Sequence, residues 1–192
     1  KKDIPVEYEK TWSYIKSIGA EKVLWLPDYF NYSFGDNSTS ALYTRAFYLN
    51  PLLIQKINKT LSDHDLETLA DLLRFYNVSA VVILDKSKPN AIPLWKKLRY
   101  SEFFQRGYSS KNSDVFLVED VKKMIRFEGK NNPPLIYKKV NDMHFEINIP
   151  KKCANEKIIF SSTYNSSWVL DGKNSSENIL GINYFKLNSS MC

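Results

Sequence analysis

Two histidines, two cysteines and a scatter of carboxylates are the residues of this 192-residue chain whose types could support chemistry. His64 falls at a helix start and His144 on the polar face of an alternating segment, far apart in sequence, so each reads as a surface histidine rather than a zinc ligand. Asp63, Asp65 and Glu67 crowd one helix N-terminus, where the helix dipole rewards negative charge and capping is a sufficient reason for them. Asp28 stands between "WLP" and "YF", where a strand meets a long aromatic stretch; it is either a turn residue after Pro27 or an acid facing a ligand. No GxSxG, Walker, HExxH or GxGxxG pattern occurs, and no paired acid and base of the kind a glycoside hydrolase needs. These residue types therefore point to no catalytic residue, no metal ligand set and no cofactor, and the chain is expected not to be catalytic alone.

Binding is the better-supplied chemistry. The stretch "DYFNYSFGDNSTSALYTRAFY" offers Tyr29, Tyr32 and Tyr43 as flat faces, with Asp28 and Arg45 as hydrogen-bonding partners. Aromatic faces suit the C–H side of a pyranose, and charged groups hold its hydroxyls with directional bonds. The same aromatics would equally serve as cover for a helix layer.

The asparagines carry a second signal. Asn-x-Ser/Thr occurs at Asn31, Asn37, Asn58, Asn77, Asn165, Asn174 and Asn188, where roughly two such acceptor triplets are expected by chance. The excess argues for a glycosylated protein outside the cytoplasm, against an alternative of simple Asn and Ser richness. Cys153 and Cys192 are too far apart for a CxxC motif; they are two free thiols or one disulfide, and the disulfide is expected if the chain lies outside the cell. An unstrained bridge of this loop size would contribute roughly 3–4 kcal/mol. The net charge of +6 is spread in ones and twos, which suits a solvated surface and no nucleic-acid partner. No run of about 18 apolar residues occurs, and the opening "KKDIP" reads as a piece of a longer protein or a processed form.

Periodicity supplies the frame that must hold these residues. "VEYEKTWSYIKSI" predicts a helix over about 6–18 and "KVLWL" a buried strand. A long surface loop follows to about residue 50. "PLLIQKINKT" predicts a short helix, and "SDHDLETLADLLRFY" a clearer one started by Ser62 and Asp65. "VSAVVILD" is an apolar strand, "AIPLWKKLRYSEFF" an amphipathic helix and "SDVFLVED" a further strand. After about residue 125 helices stop, "GKNNPP" marks a loop, and "MHFEINI", "EKIIFSSTY", "SSWVLDG" and "INYFKLN" read as short strands. The expected class is α+β, with an α/β layer and small sheet over 1–125 and a small antiparallel, sandwich-like β-domain over 126–192.

The text "IIFSSTYNSSWVLDGKNSS", followed by "GINYFKLN", resembles the C-terminal extracytoplasmic part of YfhO-type membrane proteins, polytopic proteins related to GT-C glycosyltransferases, with Tyr164, Trp168, Asp171, Gly172 and Lys173 matching. "LADLLRFYNVSAVVILD" is similar to that family's helix–strand, and "IPVEYEKTWSYIKSIGAEKVLWLP" to the segment after the last membrane helices in archaeal members. The resemblance implies an outer-face domain joined to the remainder of a polytopic membrane protein, which handles carbohydrate or a lipid-linked sugar. The family's catalytic acids belong to membrane loops outside this chain, so no catalytic residue is carried over. It also implies that Trp168 fills a β-sandwich core and Asp171-Gly172 makes a turn. A secreted or cell-surface adhesion module of the S-layer kind is the alternative.

Overall fold

Tyr8, Trp12 and Ile15 recur at helical spacing, and the segment carrying them, Val6–Ser17, is the first helix, α1. The computed structural model of the chain describes residues 6–20, 22–26, 40–43, 51–87, 89, 91–128, 134–141, 144–150, 156–163, 167–177 and 182–187. They form an α+β protein in two compact units, Lys1–Lys122 and Lys123–Cys192.

In the first unit, α1 ends where Gly19 turns left-handed at φ +63°, its amide returning to the Lys16 carbonyl and that of Ala20 to Ile15. Strands β1 (Lys22–Leu26), β2 (Ser40–Tyr43) and β3 (Ala80–Leu84) are parallel, with β1 between the other two. β5 (Ser113–Val118) runs antiparallel to β3, and β4 (Phe104–Ser109) closes the far edge against β5. The central strands are apolar on both faces because both are covered. Val23, Trp25, Ala80, Val82 and Leu84 meet Tyr8, Trp12 and Ile15 of α1, with the rings of Trp12 and Trp25 stacked 6.0 Å apart. The alternate residues Leu24, Val81, Ile83 and Phe116 are buried too. Helices α2 (Pro51–Asp63), α3 (Leu66–Phe75) and α4 (Ile92–Arg99) also sit in this unit, and the stripe Leu69, Ala70, Leu73 of α3 and Leu98 of α4 are buried.

Three local expectations change. The stretch after β1 is not wholly loop, since Ser40–Tyr43 pairs with β1 as an edge strand. α2 runs through Ser62 and stops at Asp63; His64 then turns left-handed at φ +59°, and Asp65, not Ser62, caps α3 by accepting the Thr68 amide at 3.0 Å. α4 ends at Arg99, short of the predicted end, and Phe104, the last residue of the predicted helix, begins β4.

In the second unit, β6 (Ile125–Phe127), β9 (Lys157–Thr163), β13 (Ile182–Lys186) and β12 (Ser176–Glu177) form an antiparallel sheet in the order β12-β13-β9-β6. β7 (Ile136–Asn141) and β8 (His144–Asn148) make a separate hairpin, as do β10 (Val169–Leu170) and β11 (Lys173–Asn174). Ile125, Phe127, Ile158 and Phe160 of the sheet pack against Phe145 and Ile147 of β8 and Trp168 beside β10, so the core is sandwich-like. Asp171 and Gly172 supply the two-residue turn between β10 and β11, both with positive φ (+47° and +76°), as a type I′ turn requires. Among the described residues no helix is long and apolar enough to cross a membrane.

Candidate functional site

Among the described residues, polar side chains gather at the carboxyl end of β3, the end at which open parallel sheets usually hold ligands. Asp114, opposite Ile83 in the β3–β5 register, has a fully buried carboxylate. Lys86 donates to its Oδ1 at 2.8 Å, Ser109 to the same oxygen at 2.5 Å, and the indole of Trp95 to Oδ2 at 2.5 Å, with Arg106 Nη2 3.5 Å away. Burial alone would raise the Asp114 pKa; the hydrogen bonds from Lys86, Ser109 and Trp95, with the charge of Lys86, outweigh it and hold the carboxyl below its ordinary range. Lys86 also donates to the Ser110 carbonyl at 2.5 Å and to Ser109 at 3.3 Å. The ammonium has three protons and all are directed at protein oxygens. This group ties α4, β4 and the turn after β3 together; it is a structural knot rather than a reactive centre.

The second unit holds a different kind of site. A cavity of about 250 Å³ opens beside the sandwich core. Its buried wall is Ile125, Ile158, Phe160 and Phe185; Phe145 and Ile147 come from β8, and Trp168, Val169 and Leu170 from the segment leading into the Asp-Gly turn. The rings are set edge to face: Trp168 to Phe160 at 4.7 Å and 85°, and Phe145 to Phe160 at 5.2 Å and 62°. That arrangement satisfies the ring quadrupoles and fixes the aromatic wall. Among the described lining residues His144 and Ser167 are polar, and both are exposed. Among the described residues no group of three His, Cys, Asp or Glu could hold a metal ion.

Of the residues singled out from sequence, Asp28, Tyr29, Tyr32, Arg45, Asn31, Asn37, Asn165, Asn188, Cys153 and Cys192 lie outside the described residues. Tyr43 ends β2, in register with Trp25. Asn58 is exposed on α2 and Asn174 on β11. Asn77 is buried: it takes φ +61° just after α3, its amide returns to the Arg74 carbonyl, that of Val78 to Leu73, and its side chain donates to the Lys122 carbonyl at 2.7 Å. It does the work that glycine usually does at a helix end. His64 turns out of α2 with positive φ. Trp168 joins the core cluster but is only half-buried, one part of it lining the cavity.

Phe145, Ile147 and Phe160 line the cavity and are not among the site residues expected from sequence. The alternation of "MHFEINI" places Phe145 and Ile147 on one face, and that face beside Trp168 was the available signal. Compared with protein-family models, curated proteins and solved structures, the chain matches none.

Proposed function

We propose that this chain is an extracytoplasmic module of a polytopic membrane protein engaged in glycosyl transfer or the handling of lipid-linked sugars, and that it binds rather than catalyses. The observation that carries the reading is the Trp168–Lys173 segment. It folds as a tight Asp-Gly hairpin whose leading tryptophan lines an apolar cavity instead of being swallowed by the core. Acceptor asparagines exposed at Asn58 and Asn174 support a surface that meets a glycosylation machinery.

The test is the reading frame that encodes the chain. About ten hydrophobic spans of membrane-crossing length upstream of it are expected on this reading. A lone signal peptide with no spans would overturn it in favour of a cell-surface module of the S-layer kind.

A further inference from the structure

The cavity's chemistry selects between the two halves of a lipid-linked sugar. A buried pyranose would strip several hydroxyls of water, and each unpaired hydroxyl costs on the order of 1–3 kcal/mol. Phe145, Ile147, Ile158, Phe160 and Phe185 have no side-chain donor or acceptor to match them, and among the described lining residues only His144, Ser167 and the Trp168 indole do, too few for the several hydroxyls of a pyranose. Hydrocarbon has no such debt, and removing it from water is favourable by roughly 0.8 kcal/mol per methylene. Size is consistent: an apolar protein cavity of about 150 Å³ accepts benzene, so by proportion the 250 Å³ here accommodates roughly ten carbon atoms.

We infer that the cavity beside Trp168 binds a hydrocarbon chain end of about ten carbons, with the chain's polar group held outward near His144 and Ser167. The hydrocarbon belongs to the lipid of a lipid-linked sugar, and that source rests on the functional reading above; the sugar itself stays outside the cavity. Val169 stands on the lining and is 52 % exposed.

The experiment is a titration of the chain with geraniol, decanol and methyl glucoside, followed by methyl NMR of Ile125, Ile147, Ile158, Val169 and Leu170. Both ten-carbon alcohols are expected to shift these methyls saturably, and methyl glucoside to leave them unmoved. Val169→Asp, a change at a half-exposed position, should weaken alcohol binding by at least tenfold while other methyls keep their positions. Unshifted lining methyls with both alcohols would overturn the assignment whatever the reading frame shows, as would saturable shifts from the glucoside. Alcohol binding in a chain whose reading frame lacks membrane spans would leave the cavity assignment standing and remove only the lipid-linked sugar as its source.

Discussion

Trp168 and Phe160 meet edge to face, their centroids 4.7 Å apart and their planes at 85°. Phe160 is buried in β9, whereas Trp168 reaches it from the entry to the Asp-Gly hairpin, so this contact joins the hairpin to the sandwich core. Replacing Trp168 with Ala is expected to destabilise the second unit by about 2 kcal/mol, below the full cost of deleting a buried tryptophan because the ring is half-exposed. Trp168→Phe should recover about half of that. Urea unfolding followed at second-unit methyls checks both values, and an unchanged midpoint for Trp168→Ala would mean that the contact contributes nothing.

Asp114 makes the first unit sensitive to acid. Its folded pKa lies below the ordinary value of 3.8, because the hydrogen bonds from Lys86, Ser109 and Trp95 outweigh the cost of burial. Its contribution is therefore fully present above the unfolded pKa and is lost as pH falls through the lower folded value. Asp114→Asn leaves Lys86 and the Trp95 indole facing an amide, at a cost of about 3 kcal/mol near neutrality, the lower end for a broken buried pair. Urea midpoints between pH 2 and 7 should show wild type and variant far apart near pH 7 and converging below about pH 4. A gap independent of pH would contradict the assignment.

Gly107 sits at the irregularity in the β4–β5 register, next to Tyr108, whose ring stacks on that of Tyr14 at 5.2 Å. A Cβ there would collide with the Tyr14 hydroxyl oxygen and come within 2.9 Å of Leu117 Cγ. Gly107→Ala is expected to cost about 1–3 kcal/mol as overpacking. Tyr14→Phe removes the nearest obstructing atom, so the same alanine should cost less in that background. The double-mutant cycle should give a coupling of about 0.5 kcal/mol or more. Strict additivity would place the strain at Leu117 instead.

The elements legible in the sequence are those whose stabilising pattern is local. α1 and α3 carry their apolar stripes at helical spacing, β3 is an unbroken apolar run, and Asp171-Gly172 announces its own turn. The elements that were not legible draw their order from neighbours. β2 is four residues whose ladder depends on β1, and β4 is a mostly exposed edge strand interrupted at Gly107, so neither shows a hydrophobic period. Ser62 looked like a cap because helix spacing does not reveal that α2 persists one residue past it, nor that His64 turns the chain. The cavity was hidden for a similar reason. Its walls come from β6, β8, β9, β13 and the hairpin, and only tertiary packing leaves space between them.

The central claim, a module exposed to a glycosylation machinery outside the cytoplasm, is tested most directly by mapping glycopeptides of the chain isolated from its native source. Asn58 and Asn174 are exposed, whereas Asn77 is buried at a helix end with its amide nitrogen donated to the Lys122 carbonyl. The account predicts glycan at Asn174 and Asn58 and an unmodified Asn77. Native material with Asn58 and Asn174 both bare, and with Cys153 and Cys192 both alkylatable without reduction, would contradict it.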